Sequence, residues 1–106
     1  MNIVVWLIFI IAALCEVGGD ALIRRGLRGG GLVLIVTGFV TLGCYGLIVN
    51  SVKWDFSRLI GVYVGFFAFI SVLVGRIAFK ETVPVSTWLG LALIVAGGLV
   101  IQIGRW

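Results

Sequence analysis

The stretch of the chain that decides the fold is residues 2–19, which read NIVVWLIFIIAALCEVGG. Its only charged side chain is the carboxylate of Glu16. If these residues form a helix that begins near Asn2, Glu16 lies about 21 Å along the helix axis, at about 1.5 Å per residue. The hydrocarbon core of a bilayer is about 30 Å thick, so this carboxylate would lie deep in the membrane. A carboxylate at that depth is costly and normally faces a partner helix or a wet cavity, so the stretch predicts a proton- or cation-binding site.

The composition of the whole chain agrees with a membrane protein. The chain has 106 residues, of which 62% are hydrophobic and 11% are charged. Soluble domains are about 45–50% apolar and about 25% charged. Four apolar runs, at approximately residues 2–23, 30–52, 59–79 and 85–104, are each long enough to span a bilayer. We therefore predict an all-α membrane protein with four transmembrane helices per chain, forming a single domain over residues 1–106.

Several functional classes are disfavoured by the same composition. The net charge of +4 comes from Lys and Arg in short loops between the spans, which is typical of membrane proteins and argues against nucleic-acid binding. Histidine, the commonest general base and metal ligand, is absent from the sequence. Cys15 and Cys44 each fall inside a predicted span without paired spacing, as expected of small packing residues. We expect neither an enzyme nor a bound metal or cofactor.

The distribution of cations between the two membrane sides leaves two topologies open. The first loop, which we expect to follow a helix ending near Ile23, is basic, glycine-rich and flexible by composition. One side carries three cations and the other carries five: Lys53, Arg58 and Arg105 against Arg24, Arg25, Arg28, Arg76 and Lys80. This bias is small, so insertion in both orientations, and with it an antiparallel homodimer, is one interpretation. A fixed orientation with the first and third loops in the cytoplasm is the other.

The fourth apolar run carries a pattern of glycines that favours an oligomer. Four helices of this length do not easily enclose a substrate cavity, so a two-fold dimer is the most economical assembly. Gly90, Gly97 and Gly104 recur every seven residues and share one stripe, where helix backbones can approach closely in lipid. We predict that this stripe packs against a second copy of the chain. Packing within one four-helix bundle is the alternative.

Charged residues next to Glu16 repeat with helical spacing. Asp20 and Arg24 follow Glu16 at intervals of four, which places all three on one face of the helix. Asp20 is near the membrane surface, where it either pairs with Arg24 or contributes to the cavity. For Glu16, a structural role in holding helices together is the alternative to proton and cation binding.

Aromatic residues of the second and third spans are the other candidate site residues. A buried hydroxyl needs a hydrogen-bond partner, and we predict that Tyr63 bonds Glu16. Tyr45 and Phe66 are candidate cavity-lining residues because ring faces attract organic cations by about 0.5–2 kcal/mol each. Gly65 is a further candidate, since it permits bending beside a cavity. Ordinary apolar packing is the alternative for Phe66.

The chain resembles the small multidrug resistance family of the drug/metabolite transporter superfamily over nearly its whole length. The similarity is carried by Ala13-Leu-Cys-Glu-Val17, by Gly90-Leu-Ala-Leu-Ile-Val-Ala-Gly97, by Arg24, and by Phe79-Lys-Glu-Thr82. It implies an antiparallel, dual-topology dimer whose Glu16 side chains bind protons and cationic compounds alternately. Quaternary ammonium and guanidinium compounds are the implied substrates, and a bacterial or archaeal cytoplasmic membrane is the implied location.

The third span departs from the pattern of that family. Its exporters carry a tyrosine, a tryptophan three residues later, then Ser or Thr and Gly, where this chain has Ile60, Tyr63, Val64 and Gly65. The family's aromatic drug cage is therefore not expected, and the substrate stays open. Two other functions stay open as well. One is a heterodimer partner or lipid-carrier flippase subunit of the same superfamily, and the other is a non-transporting assembly protein in which Glu16 and Asp20 pair with arginine.

Overall fold

The computed structural model describes residues 3–104, and these residues form four α-helices. Helix α1 is Ile3–Arg25, α2 is Leu32–Val49, α3 is Phe56–Ile77 and α4 is Val85–Ile103. Each is long and apolar enough to cross a membrane. The prediction of an all-α protein with four membrane-spanning helices is confirmed. The predicted first residue of the first span, Asn2, and the cation Arg105 lie outside the described residues.

Many large apolar side chains are exposed on the surface of these helices. Leu47 and Ile103, for example, are each 78% exposed, and exposed large apolar side chains occur on all four helices. Soluble monomers rarely expose contiguous apolar patches of this kind. Because burying apolar surface is worth about 25 cal/mol per Å², lipid is the medium in which these faces are stable. The chain is a multi-pass integral membrane protein in contact with membrane lipids.

The helices associate in sequence order into two compact units. The first unit ends at Lys53 and contains α1 and α2, and the second begins at Trp54 and contains α3 and α4. Each unit is an antiparallel helix pair joined by a short connection. A single domain over residues 1–106 stays a prediction.

Two glycines bring α1 and α2 into backbone contact. A Cβ atom on Gly19 would lie 3.0 Å from the carbonyl oxygen of Gly38, and a Cβ on Gly38 would lie 2.7 Å from the carbonyl oxygen of Gly19. Both glycines are buried. In lipid, helices associate through packing of this kind because there is no hydrophobic drive to hold them together. The helix crossing at Gly19 and Gly38 therefore organises the first unit.

The connection between α1 and α2 begins later in the sequence than predicted and contains a closed turn. Helix α1 continues to Arg25, two residues beyond the predicted end, and Gly26–Gly30 forms a wide helical turn. Gly29 and Gly31 have φ values of +102° and +97°, in the region that glycine adopts without steric cost. The N–H of Gly31 donates to the carbonyl of Gly26 at 3.2 Å, which closes the turn. The glycines permit a hydrogen-bonded turn, and the flexibility of this basic connection stays a prediction.

Close packing and a polar contact join the two helices of the second unit. A Cβ on Gly98 of α4 would lie 3.7 Å from the carbonyl oxygen of Gly61 of α3. Near the ends of the two helices, the guanidinium of Arg58 donates to Gln102 Oε1 at 3.0 Å. The same guanidinium lies 3.9 Å from the ring centroid of Trp54, in cation–π geometry. Arg58 therefore ties the start of α3 to the end of α4.

Candidate functional site

Glu16 lies at the midpoint of residues 3–30, the first candidate membrane span. At about 1.5 Å per residue, it is about 20 Å from the start of α1. Its side chain is half-buried, while the neighbouring Val17 and Gly19 are buried. A half-buried carboxylate at this depth is energetically costly unless it faces a partner group or a water-filled cavity.

Tyr45 of α2 belongs to the same unit as Glu16. The Glu16 carboxylate acts electrostatically on the Tyr45 hydroxyl. The helix crossing explains why, because α1 and α2 run in opposite directions through Gly19 and Gly38. Glu16 precedes Gly19 by almost one turn, and Tyr45 follows Gly38 by two turns, so both lie on the same side of the crossing. The first unit thus brings together a carboxylate and a phenol that the sequence had placed in separate spans.

Tyr63, the hydroxyl predicted to bond Glu16, belongs to the second unit. It lies on α3 and is only 2% exposed, which agrees with the expectation that its hydroxyl is buried. Its hydrogen bond to Glu16 stays a prediction. Phe66 and Gly65 are half-buried on the same helix. A Cβ on Gly65 would lie 3.9 Å from the Cα of Val95, so Gly65 contributes to the close packing of α3 on α4.

The remaining polar and thiol side chains of the first unit are more exposed. Asp20 is exposed on α1, one turn after Glu16, and its ion pair with Arg24 stays a prediction. Cys15 is half-buried and Cys44 is exposed, and both thiols are free. Within the described range, residues 3–104, no group of three or more His, Cys, Asp and Glu side chains is placed to hold a metal ion.

The glycine stripe of α4 faces away from the interior of its unit. A Cβ on Gly90 or on Gly97 would meet no heavy atom within 4 Å. The residue that packs on α3 is instead Gly98, together with buried Leu91. Neither glycine therefore packs on α3. Packing of this stripe on a second copy of the chain, or within one four-helix bundle, stays a prediction. Gly104 follows the last residue of α4 as its C-cap, so the helical part of the stripe consists of Gly90 and Gly97.

The sequence did not predict the two glycines that position the site. Gly19 and Gly38 set the register that brings Tyr45 to Glu16, and neither was singled out. A signal was present for Gly19, because the pair Gly18-Gly19 directly follows Glu16 in an otherwise apolar helix. Small residues inside a membrane helix are typical of helix–helix contacts.

Comparison with known proteins identifies the family. The profile of the family described as "Uncharacterised BCR, YnfA/UPF0060 family" matches residues 2–105. The chain belongs to the YnfA/UPF0060 family.

Individual bacterial relatives support this assignment over most of the chain. A UPF0060 membrane protein of Synechocystis sp. is 32% identical over 97 residues, which cover 91% of this chain and 90% of the relative. A UPF0060 membrane protein of Staphylococcus carnosus is 36% identical over 96 residues, covering 89% of each chain. One of Halalkalibacterium halodurans is 33% identical over 92 residues, covering 85% of each. No solved structure shows significant similarity to the chain.

Proposed function

We propose that this protein is a proton-coupled antiporter that exports small organic cations across the cytoplasmic membrane. The protein would act as an antiparallel homodimer, as its resemblance to the small multidrug resistance family implies. Two copies of Glu16 would bind protons and substrate alternately in a cavity at the dimer interface.

The observation that carries this proposal is the position of Glu16. The side chain lies at the midpoint of the first span and is half-buried in the single chain. Charged residues inside membrane spans almost always face a bundle interior or a water-filled cavity, and they mark ion pathways and proton relays. A second copy of the chain supplies the cover that one chain leaves incomplete.

The chemistry of the carboxylate provides the coupling. A carboxylate that holds a proton cannot at the same time form an ion pair with a cation, so the two ligands compete for the same oxygens. If the cavity opens to one side of the membrane at a time, the two Glu16 carboxylates of the dimer carry two protons inward for each monovalent cation carried outward, so that each cycle moves one net charge. Tyr45 contributes a hydroxyl beside the carboxylate and a ring face that attracts an organic cation by about 0.5–2 kcal/mol.

The experiment that tests this proposal is electrical. Purified protein is reconstituted into liposomes on a solid support and perfused with guanidinium and, separately, with tetraethylammonium. We expect a transient current for at least one of the two cations in the wild type and none in Glu16→Gln. Asp55→Asn is the matched control, since it also neutralises one carboxylate but lies at the start of α3, where the Asp55 side chain makes no capping hydrogen bond.

The alternatives predict different outcomes in the same experiment. If Glu16 only holds helices together, Glu16→Gln unfolds the protein or dissociates the complex, which size-exclusion chromatography detects. If the chain needs a different partner chain or transports a lipid carrier, the folded wild-type dimer gives no current with either cation. Current that persists in a folded Glu16→Gln protein contradicts the proposed mechanism.

A further inference from the structure

The connection between α3 and α4 folds a second carboxylate back over its own helix. Lys80 turns the chain with a φ of +55°, and the N–H of Glu81 then donates to the carbonyl of Gly75 at 3.0 Å. The Glu81 side chain also turns toward Gly75. A Cβ atom added to Gly75 would lie 2.5 Å from Glu81 Oε1. The carboxylate therefore lies against the last turns of α3, in space that any residue larger than glycine at position 75 would take.

This carboxylate forms part of the wall of an open cavity of about 260 Å³ within the second unit, in which the side chains of Glu81, Thr82 and Thr87 are exposed. The lining residues are Ser71, Val72, Glu81, Thr82, Val83, Pro84 and Thr87. Three of the seven carry a hydroxyl group, and Glu81 is the one charged residue among them. The nearest cations in sequence, Arg76 and Lys80, are exposed and do not line the cavity.

The oxygen atoms of this lining are suited to accept hydrogen bonds from a ligand. The hydroxyl of Ser71 donates to the carbonyl of Ala68 at 2.8 Å, which uses its proton and leaves its oxygen as an acceptor. An ionised carboxylate has hydrogen-bond acceptors and no donor. A lining of one carboxylate and several hydroxyl oxygens, with no basic side chain, selects for a cation that carries N–H donors.

The volume of the cavity limits the size of that cation. Pockets for drug-sized ligands measure about 300–1,000 Å³. A cavity of about 260 Å³ is below this range. The size fits a small organic cation better than a large aromatic drug.

We propose that this cavity is a second cation-binding site, formed by Glu81 and the hydroxyls of Ser71, Thr82 and Thr87, for a guanidinium-type cation. The planar guanidinium group presents parallel N–H donors that match the two oxygens of a carboxylate. The site is formed by α3, α4 and their connection, whereas Glu16 is on α1. It goes beyond the proposed transport function, because the site binds its ligand whether or not the protein transports it.

Binding is tested with methylguanidinium chloride and the full chain in detergent micelles, by following backbone amide chemical shifts at constant ionic strength. We expect saturable shifts at residues 71–72 and 81–87 in the wild type. The same shifts persist in Glu16→Gln, which separates this site from the proposed transport site. In Glu81→Gln we expect affinity at these residues to fall at least tenfold.

A second pair of variants separates the position of the carboxylate from its charge. Gly75→Ala keeps the charge of Glu81 but places a Cβ where its carboxylate now lies, so we expect weaker binding at residues 81–87. Gly43→Ala is the matched control, since its added Cβ meets no atom within 4 Å, and it should bind as the wild type does. The proposal is overturned if these residues do not shift in the wild type, if Glu81→Gln binds with unchanged affinity, or if sodium chloride alone produces the same shifts.

Discussion

Glu16 could be recognised from the sequence because its environment is set by composition alone. Any helix built from residues 2–19 must carry this carboxylate into the hydrocarbon core. Its neighbour could not be recognised in the same way. The interaction with Tyr45 depends on the register of α1 against α2, and that register follows from the contact between Gly19 and Gly38.

Substitution of Tyr45 tests whether its hydroxyl contributes to cation binding. Tyr45→Phe removes the hydroxyl beside Glu16 and keeps the ring, so we expect a folded protein with weaker cation binding. A hydrogen bond in a protein contributes about 0.5–1.5 kcal/mol, which corresponds to a loss of about two- to tenfold in apparent affinity. The measurement is the cation concentration that gives half-maximal current in liposomes.

Phe39→Leu provides the control for this variant. It also alters an aromatic residue of α2, but its ring is 65% exposed on the apolar surface. We expect its apparent affinity to equal that of the wild type. An unchanged affinity in Tyr45→Phe would show that the hydroxyl has no part in the site.

At the scale of helices, the sequence located the four spans but not all of their ends. The apolar run of the second span predicts a helix to residue 52, yet α2 ends at Val49. The side chains of Asn50 and Ser51 donate to the carbonyls of Gly46 and Ile48, at 2.8 and 2.6 Å, and so satisfy the last turn locally. A hydropathy profile does not detect such side-chain hydrogen bonds to the backbone, which compete with helix formation.

The start of α3 also differs from the sequence-based prediction. The helix begins at Phe56, three residues before the predicted Leu59, because Asp55 has extended N-cap geometry and its carbonyl accepts from the N–H of Leu59 at 2.8 Å. Asp is among the preferred N-cap residues, so this signal was available in the sequence. The fourth helix begins at Val85, as the sequence predicted.

The contact between α1 and α2 can be tested by substituting Gly19, with the adjacent Gly18 as the control position. Gly19→Ala would place a Cβ 2.8 Å from Leu42 Cγ and 3.0 Å from the carbonyl oxygen of Gly38, and backbone atoms cannot yield as a flexible side chain does. Overpacking of this kind costs about 1–3 kcal/mol. We expect Gly19→Ala to lower the free energy of unfolding in mixed detergent micelles by about this amount.

Gly18→Ala tests whether the effect comes from packing. A Cβ on Gly18 meets no atom within 4 Å, and alanine has a helix propensity about 1 kcal/mol better than that of glycine. We expect Gly18→Ala to be neutral or stabilising. Equal losses of stability in both variants would contradict the helix crossing at Gly19 and Gly38.

At the scale of the whole molecule, the open stripe of α4 is the feature that bears most on assembly. Gly90 and Gly97 leave room for another backbone beside α4, while Gly98 on the neighbouring face is already packed on α3. The seven-residue spacing was visible in the sequence. The sequence could not show which glycines of α4 meet α3, since that depends on which face of α4 lies against the neighbouring helix.

The proposed dimer predicts that added bulk on this stripe separates the two copies without unfolding either. Gly97→Leu adds a side chain where one chain has open space, so we expect a folded protein whose dimer dissociates at least tenfold more readily. The measurement is energy transfer between labelled copies as they are diluted in detergent. Transport should be lost together with the dimer.

Ala92→Leu is the matched control for that variant. Ala92 is exposed and lies about 200° around the helix from Gly90, at 100° per residue, so its added bulk faces away from the stripe. We expect its dimer to be as stable as that of the wild type. A Gly97→Leu dimer of wild-type stability would place the interface on another face.

In the proposed mechanism, one carboxylate, Glu16, holds either a proton or a cation. The most direct test adds guanidinium to the protein in weakly buffered detergent solution and measures proton release with a pH indicator. We predict release that is stoichiometric with the chain in the wild type and in Glu81→Gln, and none in a folded Glu16→Gln dimer. Cation binding without proton release in the wild type, or equal release in Glu16→Gln, would contradict the account.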